Sequence, residues 1–342
     1  MGLFHRLICR VVLVATAVVA VGVAVSADVA VGAGRIAPAT QPARLPAIAG
    51  DFPAGLTGTL VFQSDVGGRP AIYTLDLAAK RVAPLAGNPQ STSQTPRWSP
   101  DGARVAFASN RAHYEGASPE TGTADLDVWV VNADGSNARR ITTDPSNEND
   151  PAWTADGRAI VFSSDRDSRG DLYRVELEAG QTTRLTRHFV GRAIMPATSP
   201  AADRIAFAAQ TLRAGAFWAF QVHVRDAQGN VSTLANTTGG CWPRWSPDGR
   251  RLAHVRLDAG DAPSTIEVRH GADLSGSKVL TSQGLWSYYP AWSPDQVRLA
   301  YSVSPAHHEG ENWDLAVVDI TTGQWTRLTE GAGNDRLPDW KK

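Results

Sequence analysis

A short pattern that returns at a near-regular interval limits this chain more than anything else in its sequence. Pro-x-Trp, or a close variant, occurs as Pro96-Arg97-Trp98, Pro151-Ala152-Trp153, Pro196-Ala197-Thr198, Pro243-Arg244-Trp245, Pro290-Ala291-Trp292 and Pro338-Asp339-Trp340. Intervals of about 45–55 residues suit one propeller blade and are too long for a leucine-rich turn. The triplets lead into turns such as Ser99-Pro100-Asp101-Gly102 and Ser246-Pro247-Asp248-Gly249, where Pro presets φ and Gly takes the positive φ that closes a tight turn.

Alternating apolar residues follow each turn, as in Arg104-Val105-Ala106-Phe107-Ala108 and Arg204-Ile205-Ala206-Phe207, and a period of two is that of a β-strand. After a loop of variable length comes a second strand, such as Asp127-Val128-Trp129-Val130-Val131 or Asp171-Leu172-Tyr173-Arg174-Val175. A short strand ending in Arg139-Arg140-Ile141-Thr142 or Arg184-Leu185-Thr186 completes the unit, which reads as a four-stranded meander. A lone sheet of this kind leaves two apolar faces bare, and radial stacking against neighbours covers both. The chain holds 11 Trp, and the repeated ones suit the space between blades. Burying about 150–250 Å² each at about 25 cal/mol/Å², they contribute roughly 4–6 kcal/mol apiece before entropy is subtracted.

The two ends complement each other. The first unit, residues 59–85, has three strands and no leading Pro-x-Trp, whereas Pro338-Asp339-Trp340 has no strands after it. The expected fold is therefore all-β: a six-bladed β-propeller of four-stranded blades over residues 58–342, its ring closed by the C-terminal strand completing the first blade.

With Pro-x-Trp-Ser-Pro-Asp-Gly, an Arg-x-Ala-Phe strand, Asp-Leu-Tyr and Arg-Leu-Thr in that order, the chain resembles the TolB-type six-bladed β-propeller family with its WD40-like repeats. The resemblance covers all six units, the propeller portion without the family's N-terminal α/β domain. It implies a protein that docks envelope partners on a propeller face. Oligogalacturonate lyases are similar in fold, a likeness that implies a metal held by several His; here the His residues are scattered over different blades.

Ahead of the repeats, His5, Arg6 and Arg10 flank the start of an apolar run over residues 11–25, and Val25-Ser26-Ala27 follows. This is the order of a secretory signal peptide, 1–27, with cleavage expected after Ala27; left uncleaved, it would serve as a membrane anchor. Residues 28–57 are rich in Ala, Gly and Pro without sustained periodicity and read as a tether. The protein is thus expected to be exported, periplasmic or extracellular, and tethered to a membrane where the anchor is retained. Cys241 is the one cysteine after the leader and has no intramolecular disulfide partner. A formal charge of -1 provides no field for a phosphate backbone, so nucleic acid is not an expected partner.

In each blade the loop after the second strand and the loop entering the next blade share one face, and the longest insertions, 110–124 and 304–312, fall there. Loops on a rigid scaffold are where binding resides. The approaches to the Pro-x-Trp strands surround the mouth of the central channel. Trp242, Trp286, Tyr288 and Tyr289 lie outside the repeated Trp position, so they are candidates for an aromatic rim that takes a sugar or a peptide side chain, or else for loop packing. Glu148, Asp150 and Glu309, with Glu311 beside it, offer a solvated acidic rim, a carboxylate pair for acid/base work, or oxygen ligands for calcium.

No metal and no cofactor is expected. His307-His308-Glu309 lacks the helical spacing of a zinc site, and Asp165-Arg166-Asp167 belongs to a hairpin turn without the distal Glu of a calcium loop. No Gly-x-Ser-x-Gly elbow occurs. The leading expectation is a monomeric, non-catalytic binding or scaffolding propeller that holds an envelope or secreted protein, a peptide or a glycan. The alternatives are a glycan hydrolase or lyase using rim carboxylates and a structural module of an envelope complex.

Overall fold

The computed structural model describes residues 44–342 except 51, 115–124, 168–169, 202, 214–215, 218–219, 235–238, 258–261, 281–283 and 307–311. Six antiparallel blades form the ring. From the channel outward, blade 1 consists of Arg336–Lys341, Thr59–Ser64, Ala71–Asp76 and Arg81–Ala86. Blade 2 is Ser93–Trp98, Arg104–Ser109, Asp127–Asn132 and Arg139–Arg140; blade 3 is Glu148–Trp153, Ala159–Ser164, Asp171–Glu176 and Thr182–Arg184. Blade 4 is Gly191–Thr198, Ile205–Arg213, Gln221–Arg225 and Val231–Thr233, with Ala216–Phe217 paired to the end of its second strand. Blade 5 is Gly240–Trp245, Leu252–Arg256, Thr265–His270 and Gly276–Leu280; blade 6 is Trp286–Trp292, Arg298–Ser304, Asp314–Asp319 and Trp325–Arg327. The six-bladed, C-terminally closed ring read from the repeat is the one observed, with Arg336–Lys341 innermost in blade 1.

Each motif has a physical task. In the turn after the first strand, Ser99 Oγ donates to Asp101 Oδ1 (2.5 Å) and accepts from Arg104 N (2.9 Å), while Gly102 sits at φ 67°. The Asp that opens the third strand pairs with the Arg of the fourth: Asp127 with Arg140 at 2.9 Å, Asp171 with Arg184 at 2.7 Å, Asp314 with Arg327 at 3.2 Å. The Thr that follows uses Oγ1 to accept the N–H of the residue after that Asp, at 2.9 Å from Thr142, Thr186 and Thr329 alike. The Asp-Leu-Tyr and Arg-Leu-Thr elements are thus two halves of one clasp at the blade's outer edge.

The second strand explains its own alternation. Val105 and Phe107 pack with blade 1, whereas Ala106 packs with Trp153 and Phe162 of blade 3. Phe207 likewise meets Val161 and Leu172 of blade 3, while Ala206 meets Trp245 and Leu252 of blade 5. A small residue on one face leaves room for the next blade's aromatic side chain, as close packing requires. Trp153, Trp245 and Trp292 donate Nε1–H to backbone carbonyls of the preceding blade at 3.1, 3.2 and 3.0 Å. Arg104, Arg204 and Arg251 lie 4.8, 4.4 and 4.5 Å over the same rings. At the closing seam Lys341 takes the Arg place, 3.8 Å over Trp98. Where blade 4 has Thr198 instead of Trp, its hydroxyl donates to Trp153 O.

The last part of the segment read as a tether lies against the ring. Ala47 and Ile48 pair antiparallel with Glu330 and Thr329, and Ala49 N donates to Leu328 O at 3.0 Å. Leu56 belongs to the core between blades 6 and 1, with Ile48 and Phe52 packed against it. Alternation over so few residues left no periodic signal, since the pairing is supplied by the end of blade 6. No helix among the described residues is long and apolar enough to cross a membrane.

Candidate binding site at the channel mouth

The residue before each repeat proline carries the site. Pro disfavours right-handed helical geometry at the position before it, and here that position turns left-handed in every blade: Thr95 (φ 53°), Asp150 (53°), Met195 (55°), Trp242 (53°), Tyr289 (60°) and Leu337 (57°). The pairing of first and second strands shifts at the same point in all six blades. These are bulges, which re-aim a side chain at a strand's expense. Left-handed non-Gly residues cost about 1–3 kcal/mol each, so the ring holds six strained residues around one axis.

All six line a pocket of about 300 Å³ at the channel mouth. The bulge lets the residue one place earlier join them, and Gln94, Asn149, Ile194, Tyr288 and Arg336 also line it. The residue two places before the bulge turns the other way. Ser93, Glu148, Ala193, Ser287 and Asp335 are buried between blades and are not among the pocket-lining residues.

This alternation sorts the candidate residues. Trp242, Tyr289, Tyr288 and Asp150 are brought together at the mouth. Trp242 and Tyr289 meet edge to face at 4.8 Å, and Tyr288 lies 5.5 Å from Tyr289. Trp286 shares the core of blades 4 to 6 with Trp242 and Tyr288 but does not line the mouth, and Glu148 accepts from Arg166 inside the blade 2–3 seam. Glu309, Glu311, His307 and His308 lie outside the described residues. Of the acidic candidates, Glu148 thus lies in a seam and Asp150 at the channel mouth. Among the described residues no group of three or more His, Cys, Asp or Glu is arranged to hold a metal.

The mouth has two unlike walls. Blades 4, 5, 6 and 1 supply Met195, Trp242, Tyr289 and Leu337, while blades 2 and 3 supply Thr95 and Asp150. Thr95 Oγ1 donates to Asn149 Oδ1 at 3.0 Å, and Thr95 N to Gln63 Oε1 at 3.4 Å. Asp150 is 7% exposed, and its Oδ2 accepts from Ser163 Oγ at 3.2 Å. Burial pushes its carboxyl up to about 6, against the pull of Arg97, the Ser163 hydroxyl, the Met195 backbone N–H and Arg192. Arg97, itself buried beneath the mouth, is drawn down by burial and held up by Asp339 and Asp150.

Asn147 clamps the neighbouring loops, donating to Asp165 from N (2.9 Å) and Nδ2 (3.3 Å) and accepting from Leu126 N (3.2 Å). Asn334 repeats the clamp between blades 6 and 1, with two 2.7 Å bonds to Asp65. Thr95, Met195, Leu337, Gln94 and Arg192 carry no feature of their own in the sequence that singles them out. Alignment on the six prolines is the signal that finds most of them.

A family profile described as TolB beta propeller domain matches residues 60–240, more than half of the chain. An uncharacterized protein of Agrobacterium fabrum is 32% identical over 159 residues, covering 44% of this chain and 52% of its own length. A Tol-Pal system protein TolB of Francisella tularensis subsp. mediasiatica is 26% identical over 238 residues, covering 69% of this chain and 52% of its own. The crystal structure of TolB from Acinetobacter baumannii shares the fold with a TM-score of 0.64 at 18% identity, covering 83% of this chain and 66% of that one. The chain spans about half the length of the curated relatives it matches. On its repeats, its closed ring and the profile match, the chain belongs to the TolB β-propeller family.

Proposed function

We propose that this chain is an exported, non-catalytic binding propeller that holds an envelope partner on its loop face, with the channel mouth as the pocket for one anchoring group. In this reading residues 1–27 direct export, the chain up to the ring acts as a tether, and the ring works as a monomer. One observation carries the reading: six backbone-strained residues on a rigid ring converge on one pocket, Thr95 and Asp150 polar, Trp242 and Tyr289 aromatic, Met195 and Leu337 apolar. Strain held at one place by an over-determined scaffold marks a functional site. Relatives named as Tol-Pal system proteins support an envelope partner.

Capture from envelope extract by the full chain, compared with Trp242→Ala and Tyr289→Ala at equal folded concentration, tests it. A partner held by the native chain and lost from both variants supports the reading. Equal capture by all three, or none by any, contradicts it.

A further inference from the structure

The lining of the channel mouth has a chemistry of its own. Its charges cancel, with the carboxylates Asp150 and Asp165 against the guanidiniums Arg192 and Arg336. The pocket lining therefore carries no net charge to favour an anion or a cation. Its polar wall instead mixes donors and acceptors. The Asp150 carboxylate, a group that only accepts while ionised, lines this wall beside Ser163. The amide oxygens of Gln63 and Asn149 are engaged by Thr95, which leaves their NH2 groups to donate, and Gln94 adds a third amide. A ligand for this wall must both donate and accept at several neighbouring points, as hydroxyl groups do. The opposite wall of Trp242, Tyr288, Tyr289 and Met195 is apolar and aromatic, backed by the core of blades 4 to 6, and it suits a ligand with an apolar face.

Few groups carry a hydroxylated edge and an apolar C–H face on one rigid ring. From this match we propose that the anchoring group taken at the channel mouth is a single neutral pyranose unit. Its hydroxyls bind Asp150, Gln94 and Asn149, and its C–H face rests on Trp242 and Tyr289. This rests on the binding role assigned above and names its ligand. The pocket, about 300 Å³, is at the small end of ligand clefts and admits one sugar unit, not a chain of them. The unit is either a free monosaccharide or the exposed end of a glycan.

Calorimetric titration of the full chain tests the proposal. The probes are methyl β-glucopyranoside and N-acetylglucosamine as neutral pyranoses, glucuronate and glucosamine as charged ones, and sorbitol as a polyol without a ring face. Neutral pyranosides are expected to bind about tenfold or more better than sorbitol or either charged sugar, since loss of a face contact or a mismatched buried charge each costs that much. Asp150→Asn and Trp242→Leu are expected to weaken binding about tenfold. Gln94→Ala, at a half-buried position whose loss leaves the fold intact, serves where either of those variants fails to fold. A chitooligosaccharide arm separates the sources: binding tighter than the monosaccharide indicates a glycan end, and equal binding a free sugar. The proposal is overturned by no binding of neutral pyranosides, by equal binding of sorbitol, by preference for a charged sugar, or by an unchanged Gln94→Ala. If sugars fail while channel-dependent capture of an envelope protein persists, only the sugar assignment falls; if both fail, the binding role falls with it.

Discussion

Asp150 and its five counterparts occupy a backbone conformation that ordinary residues avoid, so their identities act on stability as well as on the pocket. Thr95 is the sharpest case, being β-branched at φ 53°. Thr95→Asn, which tolerates the left-handed region, is expected to hold or raise the melting temperature. Thr95→Val, which keeps the branch and loses the bond to Asn149, is expected to cost about 1–2 kcal/mol by denaturant unfolding. Titration offers a second test. Burial pushes Glu148 up to about 7, and Asp127, Asp150, Asp314 and Asp335 up to about 6. A carboxyl raised in the folded state lends stability that is lost as pH rises through its folded value. His223, drawn down to about 4 by burial, acts oppositely, but only as pH falls below its unfolded value near 6.5. Between pH 8 and 6.5 His223 does not oppose these carboxyls, so the melting temperature is expected to rise as pH falls across that window, and Glu148→Gln to flatten the rise. Glu148 and Asp150 look interchangeable in sequence. Counting back from Pro151 separates them, because the bulge at Asp150 breaks the strand's alternation and leaves Glu148 facing the seam.

At the level of strands and turns, most of the blade was legible because each motif recurs for a local reason. Ser-Pro-Asp-Gly closes its turn by its own side-chain bonds, and Val105-Ala106-Phe107 alternates large and small because two different blades face it. The repeated Trp should therefore matter more than the Arg above it. Trp245→Ala is expected to cost about 3–5 kcal/mol, and Arg204→Ala only about 0.5–1 kcal/mol, both read from denaturant midpoints. A loss from Arg204→Ala as large as that from Trp245→Ala would contradict this order. Less legible were contacts made between distant elements. Trp286 lies outside the repeated Trp position yet fills the core between blades, and Ala47–Ile48 gains its strand only from Thr329–Glu330. Neither has a local signature, since the partner that fixes each comes from elsewhere in the chain.

For the whole molecule, closure and channel are one property: the ring must be shut before six pre-proline residues can converge. Deleting residues 338–342 removes Trp340 and Lys341 from the closing seam. It is expected to lower the melting temperature by roughly 10 °C or more, given about 3–5 kcal/mol for the Trp alone. A truncated chain melting within about two degrees of the full one would contradict the closing-strand account. The channel mouth as the place of binding is the central claim, and a photoreactive residue introduced at Gln94 in the channel tests it directly. The control is the same residue at Ala155, on the turns of the opposite face. In the native envelope the account predicts crosslinks from position 94 and none from position 155. Crosslinks from position 155 alone, or equally from both, would contradict it.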